Sequence, residues 1–164
     1  MSDRNETGRF DTRAGFADAL RRGFGHAIDS GARCITCVDP HFGEWPLDDA
    51  ALLSRLAQFL RQPKRRLVLV AADFEALARH HARFVAWRAD WAHAIECALP
   101  SEEARVELPT LLVDDRDTLV ELIDPLHWRG RTLADAQAAR LAREAADALL
   151  QRSEPAFPVK PLGL

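Results

Sequence analysis

The sequence predicts an α/β domain whose sheet is mixed and mostly parallel, with helices on both faces and a C-terminal β-hairpin followed by a last helix. Three observations lead there. The runs ARCITCV, RRLVLVAAD and AIECAL are short and nearly continuously apolar, as in strands covered on both faces. Amphipathic stretches separate them, and strands alternating with helices imply right-handed crossovers and parallel pairing. Finally, ELPTLLVDD and DTLVELID read as two strands joined by a tight turn around Asp114, Asp115 and Arg116, which adds an antiparallel piece.

Residues 1–11 are polar and mixed in charge and read as a disordered tail ahead of one domain spanning 12–152. A first helix is expected from Thr12 to Ser30, because Phe16, Leu20, Phe24 and Ile28 share one face; Gly31 ends it. After the first strand, Asp48 is placed to cap a second helix, whose Leu52, Leu53, Leu56, Phe59 and Leu60 form the buried stripe. Pro63 marks its end. Asp73 closes the second strand and can cap a third helix, where Leu77, Phe84, Trp87 and Trp91 fall near one face. A last helix is expected over Thr132 to Gln151, with an Ala-rich inner face. Residues 153–164, with three prolines, read as an extended tail.

At 164 residues, with 48% hydrophobic and 29% charged residues, the chain suits one soluble globular domain. No apolar stretch approaches a membrane span, and the N-terminus lacks the apolar core of a signal peptide. A cytoplasmic protein without a membrane partner is expected. The net charge of −3 speaks against nucleic acid as a partner, and the basic cluster RQPKRR reads as a solvated loop. Cys34 and Cys37 have C-x-x-C spacing but lie on a strand, where residues three apart face opposite ways. They cannot share a metal or close a bridge, and read as small buried hydrophobes. His80 and His81 diverge by about 100° on a helix, so one faces the core edge and the other solvent. There is no G-x-S-x-G, no phosphate-cradling glycine loop and no solenoid repeat. The reading assigns no cofactor, no metal and no catalytic residue.

The order of elements resembles one half of the phospholipase D-like superfamily over nearly the whole chain. The resemblance implies an H-x-K-x-x-x-x-D motif on the hairpin, with a nucleophilic or acidic His and a phosphate-holding Lys. Setting Asp114 on the motif's Asp puts Glu107 and Pro109 at the His and Lys positions; setting Asp115 there puts Leu108 and Thr110. Neither register supplies the chemistry, since Glu repels a phosphate and Pro offers it nothing. The chain is also similar to an uncharacterised bacterial family of such degenerate halves, found alone or fused to acyl-CoA N-acetyltransferase domains. A non-catalytic binding or accessory module is therefore implied, with an acetyltransferase as one partner. Because phospholipase D-like halves work in pairs, a homodimer is implied too. Trp45, Trp87, Trp91 and Trp128 would supply aromatic rings for the interface.

Two loops echo each other. VDPHFGEWP brings Asp39, His41, Glu44 and Trp45, and IDPLHWRG brings Asp124, His127 and Trp128. In open α/β sheets ligands sit beyond the carboxyl ends of strands, where Asp39, Asp73 and Asp124 all fall. One expectation is a ligand pocket lined by these residues with the two Trp rings as walls. A second is a metal-dependent hydrolase or phosphodiesterase, since carboxylates and imidazoles are common metal ligands. A third is that Asp-Pro is simply turn chemistry, the Asp bonding to backbone amides.

Overall fold

The structure, a computed structural model, describes residues 6–159. Strands β1 (Glu6–Phe10), β2 (Cys34–Val38), β3 (Arg66–Val70), β4 (Ile95–Leu99), β5 (Thr110–Asp114), β6 (Thr118–Asp124), β7 (Arg129–Ala134) and β8 (Glu154–Pro155) form one sheet. Its order is β1-β7-β6-β5-β2-β3-β4-β8. The helices are α1 (Arg13–Asp29), α2 (Ala50–Arg61), α3 (Glu75–His80), α4 (Ala82–Arg88), α5 (Glu102–Arg105) and α6 (Ala136–Gln151). None is long and apolar enough to cross a membrane.

The sheet is mixed, as expected, but mostly antiparallel rather than mostly parallel. Only β2–β3 and β3–β4 run parallel; the other neighbours are antiparallel. The cause lies at the margins. Residues 129–134, assigned in part to the last helix, form β7 against β6, and β1 adds to β7. Part of the expected N-terminal tail is thus a strand; residues 1–5 lie outside the described residues. At the other end Glu154 and Pro155 pair with Leu99 and Ala98, so the expected C-terminal tail begins as a strand; residues 160–164 also lie outside the description.

Helices do cover both faces. Alternation along each strand sends Ile35, Cys37, Leu67, Leu69, Leu112 and Val120 toward α1–α4, and Val38, Val68, Val70, Val113 and Leu119 toward α6. Cys37 and Cys34 fall in opposite layers, and both thiols are free. Burial pushes the Cys37 thiol pKa well up and raises Cys34 more modestly.

Caps set the helix ends. Thr12 accepts from Gly15 N at 2.9 Å and opens α1, and Gly31 (φ 80°) follows its end. The second helix is capped by Asp49, not Asp48: Asp49 Oδ1 accepts from Ala51 N at 2.9 Å. Asp48 instead accepts from Arg83 N at 2.8 Å, a tertiary tie that draws it from the helix end. Asp135 accepts from Gln137 N and Ala138 N, so α6 starts there rather than at Thr132. The expected third helix breaks at His81, which is buried with Nε2 donating to Phe42 O at 2.8 Å; His80 is exposed.

Candidate functional site

Asp39 extends β2 by one residue and is 6% exposed. Both of its oxygens are engaged. Oδ2 accepts from His41 N at 3.0 Å and Phe42 N at 2.7 Å, and Oδ1 accepts from the Thr110 hydroxyl at 2.6 Å. These bonds hold a turn in which Phe42 has φ 59°, a left-handed conformation uncommon for a non-glycine residue. The turn throws His41 outward, where its Nδ1 accepts from Gly43 N at 3.0 Å. Asp73, three residues past the end of β3 rather than on it, is exposed and accepts from Glu75 N.

The second loop is built differently. Asp124 Oδ1 accepts from His127 N at 3.3 Å, and Oδ2 lies 2.8 Å from His127 Nδ1. The hydrogen bond from His127 is the main reason that the Asp124 carboxyl pKa falls below the ordinary carboxylate value. Trp128 follows at φ 53°.

Pairing puts both loops at one end of the sheet: Thr110, bonded to Asp39, pairs with Leu122, two residues before Asp124. The first turn of α1 joins them. Phe16 packs against Trp45 (centroids 6.2 Å apart) and Trp128 (5.6 Å). Arg13 Nε stands 3.5 Å from Glu44 Oε2, and its guanidinium 5.6 Å from the Trp128 ring centroid. The two Trp rings are thus seals over the core. Trp87 packs on Phe84 and on Trp91, and Trp87, Trp91 and Trp128 remain half-buried. No group of three or more His, Cys, Asp or Glu gathers to hold a metal among the described residues.

The hairpin positions are equally informative. Glu107 and Pro109 are exposed, Leu108 is buried in the α6 layer, and Thr110 is buried against Asp39. Asp114 Oδ1 accepts from Arg116 N and Thr118 N, and Asp115 from Arg33 N. Both aspartates shape the hairpin and its junction with β2.

Two clefts open beside the loops. One, of about 530 Å³, is lined by Arg21, Glu44, Trp45, Asp49 and His81 among others. Trp45 Nε1 and His81 Nδ1 there are buried without a hydrogen-bond partner. Burial works to raise the Asp49 pKa, but the hydrogen bond from Arg21 and the amides of Leu52 and Ala51 outweigh it and lower the carboxyl. The other cleft, of about 730 Å³, lies by Asp124 and collects Arg9, Arg129 and Arg131. Arg131 is tied to Glu121 at 2.6 Å. Sequence reasoning missed these arginines because two of them sit on the unrecognised β7 and one on β1.

No protein-family model matches the chain, and no curated protein matches its sequence. Solved structures do resemble it. TrmBL2, described as an archaeal chromatin protein with a novel mode of DNA binding, aligns at TM-score 0.64 and 12% identity over 92% of this chain and 54% of its own. This chain therefore spans about half of TrmBL2. NucT from Helicobacter pylori aligns at TM-score 0.59 and 10% identity, covering 91% of this chain and 98% of that one. Nuc from Salmonella typhimurium, a phospholipase D family member, aligns at 0.55 and 12%, covering 92% and 96%. The expectation that nucleic acid is not a partner is overturned by the first of these: a net charge of −3 does not set the class aside when a neighbour in fold is a DNA-binding chromatin protein. The chain has a phospholipase D-like fold.

Proposed function

We propose that this chain is a binding or accessory module of the phospholipase D-like fold that performs no phosphodiester chemistry. Thr110 carries the reading. In one register it stands where the motif's lysine would hold a phosphate, and its hydroxyl proton is spent on Asp39 at 2.6 Å. The other register offers Pro109, and the nucleophile position holds Leu108 or Glu107. Against a metal-dependent hydrolase stands the commitment of Asp39 to three donors, which takes three of the roughly four lone-pair sites of its carboxylate, and the burial of that side chain. An accessory role beside an N-acetyltransferase rests on the sequence resemblance alone. The test is turnover of bis(p-nitrophenyl) phosphate and of plasmid DNA, with divalent metal and with chelator. No cleavage above buffer is expected; cleavage abolished by Glu107→Ala or Asp114→Ala would overturn the proposal.

A second reading takes nucleic acid as the bound partner. It is favoured by Arg9, Arg129 and Arg131 in one cleft and by the DNA-binding neighbour. Local cations act within a Debye length of roughly 8–10 Å, so net charge does not decide the matter. Fluorescence polarisation with a labelled duplex should show binding that weakens with salt. Each phosphate contact would add roughly −0.9 to the slope of log K against log salt, and Arg129→Ala with Arg131→Ala should flatten it. A salt-independent signal would refute this reading.

A further inference from the structure

At the opposite edge of the sheet from β1 lies a buried cation with no carboxylate partner among the described residues. Arg88 ends α4 and is 5% exposed. Its Nη1 donates to the Cys97 sulfur at 3.3 Å, a weak acceptor, and its Nε has no partner. No ion pair to a carboxylate accompanies these contacts among the described residues. The guanidinium carbon stands 4.0 Å from the Phe157 ring centroid, in a residue held at φ 51° just past β8. A cleft of about 310 Å³ opens at this point, walled by Ile95, Cys97, Pro155, Ala156 and Val159. Glu96 stands at its rim but is committed to Arg66.

Burying a charge is costly unless it is paired, and a ring face with a thiol compensates a guanidinium only in part. Most arginines reach solvent, whereas Arg88 is buried against Phe157, just past β8. We propose that this cleft binds a small carboxylate with an apolar body, Arg88 receiving the carboxylate and the aliphatic walls and Phe157 receiving the rest. The planar guanidinium matches a carboxylate's two oxygens. One cation with Glu96 at the rim suits a monoanion better than a phosphate dianion. The site is independent of the DP loops and of the hairpin positions, so it stands or falls apart from the function proposed above.

Cys97 supplies the readout, because iodoacetate is itself a small carboxylate and iodoacetamide its neutral counterpart. In either alkylation the thiol proton goes to solvent, the sulfur bonds to the reagent's CH₂ carbon, the C–I bond breaks and iodide leaves. Taking the ratio of the two rates at the same sulfur cancels its thiolate fraction, whatever a variant does to that thiol. Mass spectrometry should find the iodoacetate-to-iodoacetamide ratio at Cys97 in the native chain roughly tenfold above that in the urea-unfolded chain, the scale of one charge-assisted hydrogen bond. Arg88→Met should bring the ratio down to the unfolded value, and Arg88→Lys should retain part of the excess. Millimolar propanoate, seated beside Cys97, should slow both alkylations of the native chain, and Arg88→Met should remove that protection. A native ratio no higher than the unfolded one, or alkylation rates left unchanged by propanoate, overturns the proposal. If burial keeps both reagents off the sulfur, thermal unfolding of the native chain decides: hexanoate must raise Tm more than hexanol does, and equal shifts overturn the proposal.

Discussion

Asp39→Ala should be among the most damaging substitutions in the chain, and the structure gives the size of the effect. The carboxylate accepts three hydrogen bonds, from Thr110 Oγ1, His41 N and Phe42 N. His41 is exposed, so its amide can turn to water. Phe42 and Thr110 are buried, and each donor left unsatisfied there costs about 1–3 kcal/mol. The sum is roughly 2–6 kcal/mol against a total stability of about 5–15 kcal/mol for a domain. The left-handed Phe42 also loses the bonds that hold it, which adds to the loss. Asp39→Asn keeps one oxygen for the two amides and turns its NH₂ toward the Thr110 oxygen, so it should cost much less. Urea unfolding followed by tryptophan emission reads both, since Trp45 packs against Phe42 at 4.9 Å between centroids. Asp124→Ala, whose partner His127 is exposed, should move the midpoint far less. A cost below about 1 kcal/mol for Asp39→Ala would refute the reasoning, and the carboxylate would then be available for other work.

Three other perturbations follow from the same structure. Gly130→Ala would drive its Cβ into Glu121 O and the Phe10 ring; because a backbone oxygen cannot step aside, a loss of roughly 1–3 kcal/mol with faster amide exchange in β1 is expected. Burial raises the Cys37 and Cys97 thiols, so above an unfolded-state pKa of about 8.5 the unfolded chain sheds protons that the folded chain keeps. Stability is then fully present below that pH and falls above it, by up to about 1.4 kcal/mol per pH unit per thiol; Tm measured from pH 7.5 to 10 should fall, less steeply in Cys37→Ala. As a homodimer, the chain would use the apolar side chains left at the end of the sheet, Val106 (81% exposed), Leu126 (82%) and Ile123 (63%). Light scattering should give twice 18.3 kDa at micromolar concentration, reverting to the single mass in Leu126→Asp; a single mass for the native chain ends the idea.

Local signals made much of the fold legible. Thr12 and the four-residue spacing from Phe16 to Ile28 fixed α1, and continuous apolar runs marked β2, β3 and β4. What escaped was decided by distant partners. RGRTLA is short and carries two arginines, because β7 leaves Arg129 and Arg131 in solvent. With no full apolar face it merged with the helix behind it, and with β1 and β8 also read as tails, three of the five antiparallel pairs went unseen. Asp48 and Asp49 are adjacent and equally able to cap; the choice was made by Arg83 N, which takes Asp48. The break at His81 has no Gly or Pro to announce it, since it depends on a carbonyl in the first loop. Arg88 above Phe157 was illegible for the same reason.

The two DP loops show how far a sequence echo carries. It placed both loops correctly at one end of the sheet, because strand ends and turn chemistry are local properties. It did not make them equivalent. Asp39 is locked between two strands by a partner on β5, whereas Asp124 serves its own turn and remains in contact with water. Contact between the loops runs through Arg13 and Phe16 of α1 rather than through the acidic and imidazole groups. Thr110 is where these facts meet the question of activity. A lysine there would carry a charge outward on a flexible stem. Threonine has one hydroxyl proton, and it points inward to Asp39. The hydrogen bond that stabilises the first loop thus also occupies the hydroxyl at one of the two positions where the motif's lysine would stand.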